Sequence, residues 1–468
     1  MNARLTHRYL ARVSVEFVTP FHIGSGRESD VSDAAVVLDA NGLPTIPGSS
    51  LAGVLRAALP KDAQDRIFGF QRGNQGSGSR LSVSWACIHD SNNRPVEGIV
   101  DEQILMDPVL SVARTPALRD HVRLNHLGVA DAEDRGKFDD LAVQAGHRFT
   151  FEMEMVGGPD GREDWELILG ALYRADLRVG GKNRRGYGAF HVISLKSRIF
   201  ELSMDMGDYS RHPVRLSESS PVLKPHDGIL NPPVATSVTA TLTLKPRGYW
   251  MFGGGTDVPA DMDKGNADMA PVREKRVEWS GGKGTVAEHL ILLPGAAIKG
   301  AISHRIAYHH NRLEGFWAGE VQYAKAITGC NNPSVRALFG YVAEDEEDNS
   351  ARGKILINDV FIPSASPPPQ RLTPHVSIDR FTGGALSGAL FFERPFWQGD
   401  AIQLTIMITD PTGIDANARN ALRLTLDDLA CGMLQIGAGS GRGLGHFTAE
   451  SCEWSDGGDW IKQPEKSS

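Results

Sequence analysis

Two stretches of the chain alternate polar and apolar side chains, Arg12-Val13-Ser14-Val15-Glu16-Phe17-Val18 and Ser237-Val238-Thr239-Ala240-Thr241-Leu242-Thr243-Leu244. A period of two puts the apolar set on one face, so each stretch predicts a half-buried strand. Helices are predicted at residues 49–59 and 296–308, each just after a Pro-Gly pair. Ser49 or Ser50 could cap the first, whereas Ala296 and Ala297 cannot cap the second. Second helices at 165–173 and 424–434 run into glycine-rich loops, and strands at 188–195 and 445–451 leave those loops.

The same segments recur in the same order. Ile46-Pro47-Gly48-Ser49-Ser50-Leu51-Ala52-Gly53 returns as Leu293-Pro294-Gly295-Ala296-Ala297-Ile298-Lys299-Gly300, and Ile67-Phe68-Gly69-Phe70 as Leu338-Phe339-Gly340-Tyr341. Val179-Gly180-Gly181-Lys182-Asn183-Arg184-Arg185-Gly186-Tyr187-Gly188 returns as Ile436-Gly437-Ala438-Gly439-Ser440-Gly441-Arg442-Gly443-Leu444-Gly445. Each pair lies roughly 250 residues apart, and three matches in register imply an internal duplication. The expected architecture is α+β: two tandem ferredoxin-like, RRM-like modules at 1–204 and 237–455. A Pro- and Ser-rich linker at 205–236 joins them, and a tail follows at 456–468. Insertions at 90–135, 257–284 and 361–388 exceed ordinary loop length and are candidates for function.

Composition narrows the chemistry. The chain has 468 residues and a net charge of −8, so it does not attract nucleic acid as a whole, and any RNA contact needs local basic surfaces. No apolar run is long enough for a membrane helix, and the N-terminus lacks a signal-peptide core. The four cysteines form no CxxC pair, so a reducing cytoplasm is the expected compartment. His304, His309, His310 and Cys330 match no common zinc spacing.

The glycine loops, with Gly180, Lys182, Arg184 and Arg185 in one copy and Gly437 and Arg442 in the other, fit two readings. Backbone N–H groups and basic side chains could cradle phosphates, or the glycines could serve a tight turn with positive φ. Neither loop has a Walker or Rossmann pattern. The helix starts at Ser49, Ser50 and Ala296 point free N–H groups toward a potential anion, with Arg56, Lys299 and Arg305 near in sequence.

Further motifs carry a family resemblance. Phe21-His22-Ile23-Gly24-Ser25-Gly26, Ser32-Asp33-Ala34-Ala35-Val36-Val37-Leu38-Asp39 and the Pro-Gly-Ser-Ser-Leu-Ala-Gly run from Pro47 to Gly53 resemble the N-terminal signature of the RAMP superfamily. More narrowly, they are similar to subunits that polymerise along guide RNA in type III CRISPR effector complexes. Ala52 stands where that family usually has Lys, and Lys299 keeps it in the second copy. Phe252-Gly253-Gly254-Gly255, Ala267-Asp268-Met269-Ala270-Pro271-Val272, Leu338-Phe339-Gly340 and the run from Val376 to Ala385 extend the resemblance through the second half.

The resemblance implies a fused tandem backbone subunit whose partners are guide RNA, target RNA, other RAMP subunits and a polymerase-like large subunit. It implies RNA binding through Ser49, Ser50, Arg56, Gly180, Lys182, Arg184, Arg185, Lys299, Gly437 and Arg442. It also implies target-RNA cleavage at Asp33 and Asp268 with a divalent cation, Mg2+ or Mn2+, and thumb hairpins drawn from 90–135 and 361–388. Asp30, Asp261 and Asp263 are rival carboxylates. Two alternatives stay open: a non-catalytic structural subunit, and a guide-processing ribonuclease using His22 in metal-free acid/base chemistry.

Overall fold

The computed structural model describes residues 5–26, 35–125, 128–130, 136–226, 228, 230, 237–253, 267–317, 327–343, 350–363 and 367–462. In the first half, β1 (His7–Phe17) leads to α1 (Gly48–Ala58) and β2 (Leu81–Val83). A two-stranded hairpin follows, β3 (Ala117–Val122) and β4 (Lys137–Ala142), and then β5 (Arg148–Gly157), α2 (Arg162–Ala171) and β6 (Phe190–Glu201). The segment after it forms α3 (Leu202–Tyr209) and β7 (Lys224–Pro225). The second half has β8 (Ser237–Pro246), β9 (Arg273–Ser280), β10 (Lys283–Leu293), α4 (Gly295–Glu314) and β11 (Ile355–Ile357). Its own hairpin is β12 (Thr373–Ile378) and β13 (Ala385–Glu393), followed by β14 (Ile402–Thr409), α5 (Ala416–Ala430), β15 (Phe447–Trp454) and α6 (Asp459–Lys462).

The two main sheets have one plan. Strands run β6-β1-β5-β2 in the first half and β15-β8-β14-β11 in the second, with every neighbour antiparallel. The register against the last strand slips between Ser14 and Val15 in β1 and between Thr243 and Leu244 in β8. Val15 faces Phe149 and Leu244 faces Ile402, so the two irregularities occupy equivalent places. Alternation works as the sequence predicts: Val13, Val15 and Phe17, and Val238, Ala240, Leu242 and Leu244, point into separate cores.

Several boundaries differ from expectation. Neither Ser49 nor Ser50 caps α1: Pro47 is the N-cap residue, without a side-chain hydrogen bond, and Pro294 precedes α4 in the same way. Gly48 and Gly295 open the helices because a Cβ there would sit 2.1 Å from the Val83 carbonyl and 2.4 Å from that of Ile357. The expected linker is packed over much of its length. Val222 and Leu223 bury with Leu10 and Phe200, Tyr209 packs against them, and β7 extends the first sheet beside β6. Residues 231–236 lie outside the described residues. The expected tail begins inside the second core, where Trp460 and Ile461 are buried.

The halves meet through the loop end of the first and the helix start of the second. Val277 of β9 donates its N–H to Ala145 (3.0 Å), Trp279 Nε1 donates to the Gly146 carbonyl (2.7 Å), and the Arg148 guanidinium lies 4.1 Å from the Trp279 ring centre. At the middle of this seam, Arg119 of β3 is fully enclosed. It donates to both carboxylate oxygens of Glu274 and, at 2.7 Å, to Asp359 Oδ2. Burial opposes the Arg119 charge, but the two carboxylates outweigh it and hold the guanidinium protonated.

Candidate nucleic-acid interface

The glycine loops are stitched to the segment that follows the first strand of each half. Gly181 N–H donates to the His22 carbonyl and Ala438 N–H to that of Met251, both at 2.7 Å. Gly180 has φ +91° and Gly437 φ +99°, and a Cβ at either would lie 2.4 Å from the same carbonyls. These two glycines are therefore required by backbone geometry.

Lys182, Arg185 and Arg442 of the loops face inward to the hairpins. Lys182 Nζ lies 2.5 Å from Asp140 Oδ1 and Arg185 Nη1 lies 2.7 Å from Asp140 Oδ2, with His121 Nε2 3.2 Å away. Burial works to raise the Asp140 pKa, but His121, Lys182 and Arg185 outweigh it and hold the carboxyl well below the usual range. The second half repeats the arrangement: Arg442 pairs with Glu393, and His375 Nε2 lies 3.0 Å from Glu393 Oε2. In both, the His ring stacks on the cross-strand Phe, His121 on Phe138 at 5.1 Å and His375 on Phe391 at 5.0 Å. Sequence reasoning missed this cluster. Its signal was an acid two residues past a Phe in each half, Phe138-Asp139-Asp140 and Phe391-Phe392-Glu393.

The seam gathers the other cations. Lys299, in the first turns of α4, comes close enough to Arg184 and Arg185 of the first loop to feel their charges. Burial and then the charges of Arg185 and Arg184 push the Lys299 ammonium down to about 8. Burial, then Arg352 and Arg178, push Arg184 down to about 10. The two helix starts differ. Gly295 N–H donates to the buried Asp359 Oδ1 at 2.8 Å, so the protein supplies the anion at α4, whereas the position equivalent to Asp359 beside α1 is the exposed Trp85. Ser49 and Ser50 lie in the first turn of α1, and Arg56 pairs at the surface with Asp65 (3.2 Å).

The family model of the RAMP superfamily matches residues 14–191 and 243–448, one match in each half. The chain belongs to the RAMP superfamily. No curated protein matches it. Membership suggests a CRISPR-associated RNA-binding subunit. In this RAMP protein no helix among the described residues is long and apolar enough to cross a membrane.

Asp268 is exposed at the base of the second hairpin of the RAMP protein, where its Oδ2 accepts from Phe392 N–H at 2.7 Å and its own N–H donates to the Phe392 carbonyl. Val37 N–H donates to Ile23 and Val272 N–H to Phe252, so Val37 and Val272 occupy equivalent places in the two halves. Asp33 and Asp30, like Asp261 and Asp263, lie outside the described residues. Among the described residues no three His, Cys, Asp or Glu side chains gather into a metal site. A lone Asp268 carboxylate is not a resident metal site by itself, and it fits a cation only if RNA phosphate oxygens supply most of the ligands.

The remaining candidates resolve into ordinary partners. His309 Nε2 lies 2.8 Å from Asp428, and His310 Nδ1 lies 2.8 Å from Ser334 Oγ. His22 is buried, donates Nδ1–H to the Leu141 carbonyl at 2.7 Å, and has its pKa lowered mainly by burial. Its counterpart in the second half is Met251.

Proposed function

We propose that this RAMP protein is a guide-RNA-binding backbone subunit of a type III CRISPR effector complex. In this reading it consists of two ferredoxin-like modules whose hairpins, β3–β4 and β12–β13, act as thumbs that interrupt guide–target pairing. The seam carries the reading: Lys299 from one half and Arg184 from the other crowd like charges, with Arg352 nearby, and a polyanion backbone would relieve that crowding. Ser49 and Ser50, at the helix start with no carboxylate in the place of Asp359, supply the matching contact in the first half. Apolar side chains exposed on the hairpins, including Leu118, Val122, Val376, Ile378 and Phe381, suit wedging between bases.

Sequence readout then comes from base pairing, and the protein reads backbone and shape. Cleavage of the target strand is assigned to Asp33 and Asp268, and at Asp268, beside the base of the second hairpin, a splayed nucleotide would align its 2′-hydroxyl for in-line attack. A divalent cation, Mg2+ or Mn2+, would supply charge neutralisation at the scissile phosphate, with the Asp as one of its ligands.

The test uses the complex reconstituted with guide RNA, other RAMP subunits and the large subunit. Asp33→Ala and Asp268→Ala should each abolish one set of cuts while target binding persists, and a chelator should abolish both. Cutting at every site by the double variant would show that this chain is a structural subunit. Chelator-resistant cutting would favour the metal-free ribonuclease.

A further inference from the structure

The clusters at the hairpin bases have a consequence of their own. Asp140 and Glu393 are almost completely enclosed, with side-chain exposures of 3% and 0%. Each is the third residue of an aromatic-x-acid run on the second hairpin strand, and each meets a glycine-loop cation and a His from the first strand. The loop guanidinium also lies over the hairpin Phe, Arg185 over Phe138 at 4.5 Å and Arg442 over Phe391 at 5.5 Å. The chemistry survives a change from Asp to Glu and from two loop cations to one, so geometry has been kept while side chains drifted.

We propose that Asp140 and Glu393 are positioning residues: internal anions that fix the angle of each hairpin against its glycine loop and commit Lys182, Arg185 and Arg442 to the protein rather than to RNA. An RNA phosphate could draw these cations away only by stripping an enclosed carboxylate of its partners, and a buried pair that loses one partner leaves an uncompensated charge. The same strand carries the clamp to the neighbouring functional groups. Phe392, next to Glu393, fixes both the Asp268 backbone and its carboxylate, and Leu141, next to Asp140, holds His22. The clamp thus sets the distance between each hairpin and the residues beside its base. This rests on the RNA-binding reading only for its nucleic-acid readout.

The experiment measures hydrogen exchange in the two hairpins of the full chain, together with the salt dependence of binding to a labelled guide RNA. Asp140→Asn should raise exchange in 117–122 and 137–142 about tenfold or more and leave 373–393 protected, and Glu393→Gln should do the reverse. Each should also steepen the salt slope, by roughly 0.7 for every cation it frees. Arg442→Gln, which takes the cation from the enclosed Glu393 at a half-exposed position, should loosen 373–393 without changing the slope. If Arg442→Gln or Arg185→Gln lowers the slope by about 0.7 while its hairpin stays protected, those residues grip RNA and the clamp is wrong. Lys299→Gln is the control for the underlying reading: unchanged RNA binding there would count against the proposed function, and hairpin exchange would still judge the clamp.

Discussion

The two halves agree where each must fold and differ where they touch each other. Strand order, the slip in the first strand, the positive-φ glycines and the carboxylate clamp all occur twice. The seam is built from residues that occur once. Arg119, opposite Asp140, corresponds to Thr373 opposite Glu393, and Tyr187 corresponds to Leu444. Asp359 corresponds to Trp85, and Lys299 to Ala52. The β9–β10 hairpin that covers Ala145 and Gly146 takes the place of the tight turn at 39–43 in the first half. Duplication supplied two equal modules, and the constraint that separated them is the burial of one face of each against the other.

The largest break in this comparison should come from Arg119→Met. It leaves Glu274 and Asp359 buried without their cation, and loss of one member of such a set costs about 3–5 kcal/mol. Urea unfolding should shift strongly and separate into two transitions, whereas Thr373→Met at the equivalent place should move stability by less than about 1 kcal/mol.

Next in size are Gly180→Ala and Gly437→Ala. Each forces a side chain into positive φ and against a carbonyl 2.4 Å away, a cost of about 1–3 kcal/mol. Similar losses of stability in both halves are expected. Unchanged stability with weakened RNA binding would instead make the loops phosphate cradles.

The smallest effect concerns Lys299 and Ala52. Lys299→Gln should weaken guide-RNA binding uniformly across sequences and flatten the salt slope by roughly 0.7, and Ala52→Lys should do the opposite. The Lys299 ammonium is pushed down to about 8, so its charge is present below that pH and lost above it. Affinity of the wild-type chain should therefore fall between pH 7 and pH 9 more than that of Lys299→Gln, as read by titration at constant ionic strength.

Much of this was legible in the chain. The alternating runs found β1 and β8, and the Pro-Gly pairs found both helix starts to within a residue. The second helix of the second half begins earlier than its apolar pattern suggested, because Asp415 caps it by accepting from Ala418 N–H at 2.7 Å. The stretch after β6 looked like a linker because it is rich in Pro, Ser and charge, yet Val222 and Leu223 find an apolar patch around Leu10 and Phe200. Composition reports average polarity, and two well-placed apolar residues are enough to anchor a segment.

The duplication and the order of the main elements could be read from the chain alone, because they depend on local periodicity, whereas the need for glycine at Gly180 and Gly437 comes from carbonyls at His22 and Met251, far away in sequence. Tertiary structure alone decided which cations remain available to a ligand. Lys182, Arg185 and Arg442 look like phosphate ligands in one dimension, and their partners Asp140 and Glu393 lie more than forty residues away along the chain. Pairing between charges that distant depends on how a hairpin folds back onto a loop, and no local pattern encodes that approach.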